Sequence, residues 1–480
     1  MGVKKIALHN FRGFRDAEIE LKPLTVLLGP NSAGKSSFGH ALAAMAHAHR
    51  VFAGTPQASL TPTLATRDSW PIDLGTLHDL RTTGASDSVR VEIATDAGLI
   101  ETGFGVDPIT SLLPSYFRYP KGQESVGTKT GEGPITVVPD TSSTGSIGQN
   151  LTPEEVIYET IESTHYVVRR LNQHQWVEAG VPSTVALNGL LLDSITHQGG
   201  TSMVLGGPAR KEIAFLFQNL AYLRANRRRP SRTYPLLSAD PNSPQEIGYA
   251  GEWTAAVIHK FAEESVRHTR LPSVPNTVEQ AKLLQSEKAI PVSDTLLRSI
   301  TEWLQRLGLA TSLRAISSNA HAGHLEILLR MPDQRERNLI ETGFGTSQVL
   351  PILTAGLLQP LNSLYIVDLP EAHLHPRPQA NLADFFCSLA LSDRFSLVET
   401  HSEMFFHRLR LRAEMDDELK HKIAVYFIDQ PEDGFCCPPH KVGLGLDEQF
   451  QWPVGFLQEA WETEEQIEAV RQSKKMSMKK

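Results

Sequence analysis

The chain has 480 residues and a formal net charge of −8, from 46 Lys+Arg against 54 Asp+Glu, which excludes a protein that coats nucleic acid by bulk charge but not one with a local basic patch. A 40% hydrophobic and 21% charged content can bury a sizeable core, excludes a wholly disordered chain, and over this length allows two to four domains or one large domain with insertions. Only Cys387, Cys436 and Cys437 are cysteines, the start MGVKKIALHN lacks a signal-peptide core, and no run is apolar enough to cross a membrane, so no disulfide framework and a cytoplasmic location are expected.

Lys5–His9 and Ala17–Leu21 read as short strands around the turn-like FRGF. Leu24–Leu28 is a continuous apolar run, as expected of a strand buried on both faces. GPNSAGKSS follows, then an Ala-rich stretch with helical spacing from Ser37 to about Arg50. Residues 88–178 read mostly as β, with SVRVEIAT, HYVVRRL and QWVEAG as candidates, and the Gly/Ser/Thr-dense stretch 127–150 reads as a mobile loop or hairpin tip. The pattern from about 209 to 308 turns helical, in KEIAFLFQNLAYL, EWTAAVIHKFAEES and DTLLRSITEWLQRLG, before TSLRAISS and HLEILLRM return to β. The last third alternates strand and helix: LYIVDL, ANLADFFCSLAL, FSLVET, EMFFHRLRLR and KIAVYFID, then a basic helical tail, 464–480. No tandem repeat and no heptad array long enough for a coiled-coil arm is present.

Gly29–Ser36 matches G-x-x-x-x-G-K-[ST], between a buried strand and a helix. Successive N–H groups of Asn31, Ser32, Ala33, Gly34 and Lys35 can wrap phosphate, and the helix N-terminus at Ser36 and Ser37 adds partial positive charge. Lys35 is expected at the β- and γ-phosphates of ATP and the Ser36 hydroxyl on Mg²⁺. A phosphate loop needs a metal-side carboxylate at the end of a neighbouring strand, and LYIVDLPEAHLHP supplies Asp368, with Glu371 three residues on. In FSLVETHSE, His401 stands where a γ-phosphate sensor belongs. In ETGFGTSQVLP, Gly345, Thr346, Ser347 and Gln348 open a helix whose N–H groups and hydroxyls can face phosphate, although Gly-rich turns before helices are common.

These four segments, in this order, resemble the ABC-type ATPase heads of the OLD, RecF and SMC grouping, through FRGFRDAEIELKPLTVLLGPNSAGKSS, GFGTSQVLPIL, YIVDLPEAHLHPRPQ and VETHSEMFFHRLR. Asp73–Arg81 lies where such heads carry a Q-loop-like segment, and WPVGFLQEA at 452–460 resembles the C-terminal module of the OLD-like branch. The resemblance implies an α/β P-loop head assembled from both chain ends: 1–100 with the phosphate loop, 331–430 with the signature, acidic and switch segments, an intervening β-rich region and helical insertion at 101–330, and a C-terminal module at 431–480. It implies Asp368 as the Walker B carboxylate, His401 as the switch histidine, and Gly345–Gln348 as a signature loop reaching the γ-phosphate of a second head. ATP and Mg²⁺ would then clamp a homodimer or higher oligomer. In many such heads a catalytic Glu directly follows the Asp; here Leu369 does, which leaves either Glu371 to polarise the attacking water or a slow ATPase used as a stable clamp.

By the same resemblance the chain senses a trigger and controls a partner effector, a nuclease or toxin, in bacterial anti-phage defence. No TOPRIM-like acidic cluster follows the ATPase segments, so nuclease activity is expected to need a partner chain. The alternative is a RecF-like DNA-repair ATPase; a transporter subunit is disfavoured because no LSGGQ loop is present. Arg224, Arg227, Arg228, Arg229 and Arg232 form a basic run that either contacts nucleic acid or a neighbouring head's nucleotide, or is a solvated or internally paired loop. HLHP lacks the i, i+4 spacing of a helical zinc site, so His373 and His375 are expected to pack and cap locally, and Cys436–Cys437 has no second CxxC partner.

Overall fold

The computed structural model describes residues 2–52, 82, 89–104, 208–236, 247–284, 287–318, 323–429 and 435–444, and the backbone of nine strands between 114 and 205. At its centre is a six-stranded sheet in the order Ala221–Leu223, Leu364–Asp368, Phe395–Glu399, Leu24–Leu28, Ile423–Phe427, His440–Val442. The first five strands run parallel and the last is antiparallel. Every residue of Leu24–Leu28, Leu364–Asp368 and Ile423–Phe427 is buried. Both faces of this sheet are covered, which is why these strands read as unbroken apolar runs.

The two-residue period of a strand divides the sheet's side chains between two cores. Leu27, Ile366, Leu397 and Ala424 pack with helix Ser36–Phe52, whose Ala41, Ala43, Ala44, Ala46 and Ala48 are all buried. Small side chains let this helix lie close on the sheet, and its first turn is thereby fixed over the strand ends. Val26, Val367, Val398 and Val425 face the opposite core, built on helices Leu296–Leu307, Phe344–Leu358, Pro376–Ala390 and Glu403–Met415. Burying each such Val or Leu contributes roughly 1.5–3 kcal/mol, so the sheet is held from both sides. Arg412 forks onto Asp384, with Nε–Oδ1 at 2.8 Å and Nη2–Oδ2 at 2.9 Å, and so ties the last two of these helices together.

Val3–Phe11 pairs antiparallel with Phe14–Glu20 and Val89–Thr95, and this sheet continues through the strands of the 98–205 stretch. The β-rich middle expected from the sequence is therefore continuous with the N-terminal strands, and it runs on to Thr201–Leu205.

The helix expected across KEIAFLFQNLAYL stops at Asn219, whose Nδ2 donates to Phe215 O at 2.9 Å. Ala221–Leu223 is instead a parallel edge strand on Leu364–Asp368. The stretch read as an insertion thus supplies one strand of the central sheet, because Ala-Tyr-Leu buries two side chains against the sheet there. EWTAAVIHKFAEES is helical only over Thr254–Lys260, and its final Ser265 opens strand Ser265–Arg270. Asp73–Arg81, most of 127–150, WPVGFLQEA and the 464–480 tail lie outside the described residues.

Candidate nucleotide site

Strands Leu24–Leu28, Leu364–Asp368 and Phe395–Glu399 are neighbours, and their C-terminal ends meet at one edge of the sheet. That is where open parallel sheets bind ligands, because loops and helix N-termini converge there. Gly29 has φ +146 and a Cβ on it would lie 2.1 Å from Ile428 O. Gly34 has φ +95, and a Cβ there would meet Cys436 Sγ at 2.8 Å and the Phe14 ring at 2.9 Å. Both glycines are needed on conformational and steric grounds. Asn31 and Ser32 are exposed, Ala33 and Ser37 buried, and Ser36 opens the helix.

Lys35 is 3% exposed, and its Nζ donates to Pro30 O at 2.6 Å, folded over its own loop. Burial lowers the Lys35 pKa, while Glu399 and Glu371 oppose that and favour the ammonium. Asp368 is buried, and its Oδ2 accepts a hydrogen bond from Tyr222 Oη at 2.5 Å. Burial and then Asp368 push the Tyr222 phenol far up, so it stays protonated and donates. His40 Nε2 is 3.8 Å from the same Oδ2.

Asp368 and Glu399 are paired in register on adjacent strands. Burial, then Asp368, pushes Glu399 up to about 7, against the hydrogen-bonded Ser36 hydroxyl and Lys35. Its Oε2 has no hydrogen-bond partner among the described residues. Glu399, like Tyr222, is a buried cleft residue that the sequence reading does not single out; it stands beside Thr400–His401 at the end of a buried strand.

Leu369 turns the chain with φ +44, and its N–H donates to Glu399 O at 2.8 Å. Glu371 then comes back under the switch segment, where its Oε1 accepts from the His401 N–H at 2.7 Å. Burial raises the Glu371 pKa, with hydrogen bonds and the Arg227 charge opposing. His401 Nδ1 lies 2.9 Å from Gly29 O. A carbonyl only accepts, so Nδ1 carries the proton and Nε2 of the neutral ring is an acceptor. Burial, then Lys35, lowers the His401 pKa and favours this neutral form.

The expected signature loop differs in what it presents. Gly343 is the N-cap of helix Phe344–Leu358, with no side-chain cap. Thr346, Ser347 and Gln348 are buried, with Ser347 Oγ donating to Phe344 O at 2.6 Å. The hydroxyls expected to face phosphate are thus turned inward, and the outward groups are Gly343 and Phe344. Gly345 packs against the acidic segment, where a Cβ would lie 2.7 Å from His373 O. His373 meets Phe344 edge-on at 4.7 Å, the local packing expected of HLHP.

The basic run divides. Arg227 is 3% exposed, so it is not available to nucleic acid; its Nη2 donates to Asp368 O at 2.6 Å and Leu369 O at 3.0 Å. Arg224, Arg228, Arg229 and Arg232 are exposed, although Arg232 pairs with Glu341 at 2.9 Å and Arg228 lies over the Tyr234 ring.

Ser36, His40, Tyr222, Arg224, Asp368 and Glu399 line a cleft of about 330 Å³. Its lining offers a hydroxyl and carboxylate oxygens, the hard ligands Mg²⁺ takes, and Glu399 Oε2, without a hydrogen-bond partner among the described residues, fits a cation there. No cluster of three or more His, Cys, Asp or Glu arranged for a metal occurs among the described residues; Mg²⁺ in nucleotide sites takes only one or two protein carboxylates, with phosphate and water completing its shell. No helix among the described residues is long and apolar enough to cross a membrane.

Residues 1–97 match the family model described as "AAA ATPase domain". Residues 190–406 match that described as "AAA domain, putative AbiEii toxin, Type IV TA system". Lys35 and Ser36 fall in the first match, and Tyr222, Arg227, Asp368, Glu371, Glu399 and His401 in the second, so each side of the cleft lies in an ATPase-type match. No curated protein matches the chain. Among solved structures, an SMC head domain from Thermotoga maritima aligns at 13% identity over 92% of this chain and 99% of that one, with a TM-score of 0.34. An Smc head domain with an extended coiled coil, bound to the C-terminal domain of ScpA derived from Pyrococcus furiosus, aligns at 13% identity over 97% and 99%, with a TM-score of 0.37. Topology, phosphate loop and family matches together give a mixed α/β P-loop ATPase head.

Proposed function

We propose that this chain binds and hydrolyses ATP with Mg²⁺ at the strand-end site formed by Lys35, Asp368 and Glu371, as a nucleotide-clamped dimer that controls a partner effector. The observation that carries the reading is the meeting of Lys35 and Ser36 with Asp368, Glu371 and His401 at the ends of three adjacent parallel strands. Lys35 leaves Pro30 O for the β- and γ-phosphate oxygens, which draws the loop N–H groups onto the phosphates. Mg²⁺, held by Ser36 and Asp368, neutralises phosphate charge when bound. Glu371 keeps one oxygen on the His401 amide, which orients the carboxylate to accept the proton of an attacking water. His401 Nε2 accepts from that water when the ring is neutral and donates to the γ-phosphate once protonated.

The clamp is supported by the uncapped first turn of helix Phe344–Leu358, beside Ile340 and Phe344, which are 42% and 37% exposed. A second head can cover that apolar edge while its nucleotide meets the free N–H groups. The effector role in anti-phage defence rests on the OLD-like resemblance; the second family match is described as a putative toxin of a toxin–antitoxin system. A RecF-like reading is favoured by one observation, the exposed Arg228–Arg229 pair, two and three positions after Asn226, which lines the cleft.

Light scattering on E371Q with and without Mg·ATP tests the clamp. Doubling of the mass only with Mg·ATP is expected; an unchanged mass in a variant that binds ATP would overturn it.

A further inference from the structure

We infer that Arg227 is a positioning residue for hydrolysis: it fixes the turn that carries Glu371 and presents a buried cation to that carboxylate. This rests on the reading of Glu371 as the water-polarising group. Three observations carry it.

Arg227 follows the edge strand Ala221–Leu223, so the segment that delivers Tyr222 to the Asp368 side chain also delivers Arg227 to the Asp368 and Leu369 carbonyls. The acidic strand end is thus gripped twice, at its carboxylate and at its backbone. Leu369, between those grips, has φ +44, a conformation an L residue other than Gly, Asn or Asp seldom takes unaided. The two N–H groups of Nη2 hold the carbonyl before it and its own.

Arg227 is buried, and Nε and Nη1 have no hydrogen-bond partner among the described residues. A neutral side chain could cap two carbonyls; burying a full guanidinium for that task alone is costly. Glu371 supplies the reason, being buried and close enough for each group to feel the other's charge. The Arg227 charge opposes the rise of the Glu371 pKa, and so favours the ionised carboxylate that a water-polarising role requires.

The test compares R227M, R227K and E371Q in the full chain, measuring ATP affinity with a fluorescent ATP analogue, steady-state turnover and melting temperature. For R227M, affinity within about threefold of wild type and kcat lowered about 30-fold or more are expected, the signature of an interaction used in the transition state and not in binding. R227K keeps the charge but loses the guanidinium's planar geometry, so its kcat should recover only in part, to about three- to tenfold below wild type. If R227M does not fold, R227K carries the test through the same split: lowered kcat at unchanged affinity. Wild-type turnover in either variant, or affinity and melting temperature falling in step with kcat, would overturn the inference. An inactive E371Q beside a wild-type-like R227M sinks the Arg227 role alone. An E371Q that hydrolyses like wild type sinks the Glu371 reading, and this inference with it.

Discussion

Tyr222 donates its phenol proton to Asp368 Oδ2 at 2.5 Å, joining an edge strand in the middle of the chain to the acidic strand end 146 positions later. The phenol is a neutral donor on a buried carboxylate. Y222F removes the donor while keeping the ring. It should destabilise the ligand-free protein by roughly 1–3 kcal/mol, the usual penalty for an unsatisfied buried acceptor. With Mg·ATP bound the penalty should shrink, since the cation then partners Asp368. Urea unfolding of both proteins, with and without Mg·ATP, measures it; equal stability without ligand would contradict the role given to Tyr222.

Gly34 has both a positive φ and no room for a methyl group beside Phe14 and Cys436. G34A should therefore displace the loop N–H groups and weaken ATP binding by about tenfold or more, corresponding to at least roughly 1.4 kcal/mol. Calorimetric titration gives the number, and wild-type affinity in G34A would show that the loop geometry does not hold the phosphates.

His49 is 2% exposed against Phe217, and burial, then Arg210 and Arg50, lowers its pKa from 6.5 to about 4. A depressed folded-state pKa means the unfolded chain binds the proton first as pH falls. Stability present above pH 6.5 is thus lost on the way down to about 4, by roughly 2 kcal/mol between pH 7 and pH 5. Glu399, raised to about 7, acts in the opposite sense over the same interval. The comparison of wild type with H49F isolates the histidine: wild type should lose more stability than H49F between those pH values. Parallel curves would rule out a buried neutral His49.

The exposed arginines make a separate prediction. If the basic run meets nucleic acid, Arg228 and Arg229 carry the contact. Replacing both with Ala should lower affinity for a DNA duplex and reduce the salt slope by about two. Binding that is absent or insensitive to salt in the wild type would leave the run as a solvated surface.

Some of this architecture is readable from local pattern. Leu24–Leu28, Leu364–Asp368 and Phe395–Glu399 announce themselves as apolar runs ending in Gly, Asp and Glu-Thr-His, because a covered parallel strand has no face left for polar residues. The edge strand does not. Ala221–Leu223 is three residues long and lies one residue past the end of a helix, so only its register on Leu364–Asp368 reveals it. Arg227 is illegible for a related reason: within RANRRRPSR nothing marks which arginine turns inward, and burial is decided by the sheet beside it. The orientation of Thr346 and Ser347 is likewise set by how helix Phe344–Leu358 rotates onto its core, which a Gly-rich turn does not encode.

The central claim is that one site, assembled from Lys35, Asp368 and Glu371, turns over ATP. Phosphate release by the purified chain, measured alongside ATP binding for wild type, K35A and E371Q, tests it most directly. The account predicts Mg²⁺-dependent turnover in wild type, neither binding nor turnover in K35A, and wild-type-like binding with turnover lowered about 100-fold or more in E371Q, the scale of a lost general base. Undiminished hydrolysis in E371Q, or ATP binding that survives K35A unchanged, would contradict it.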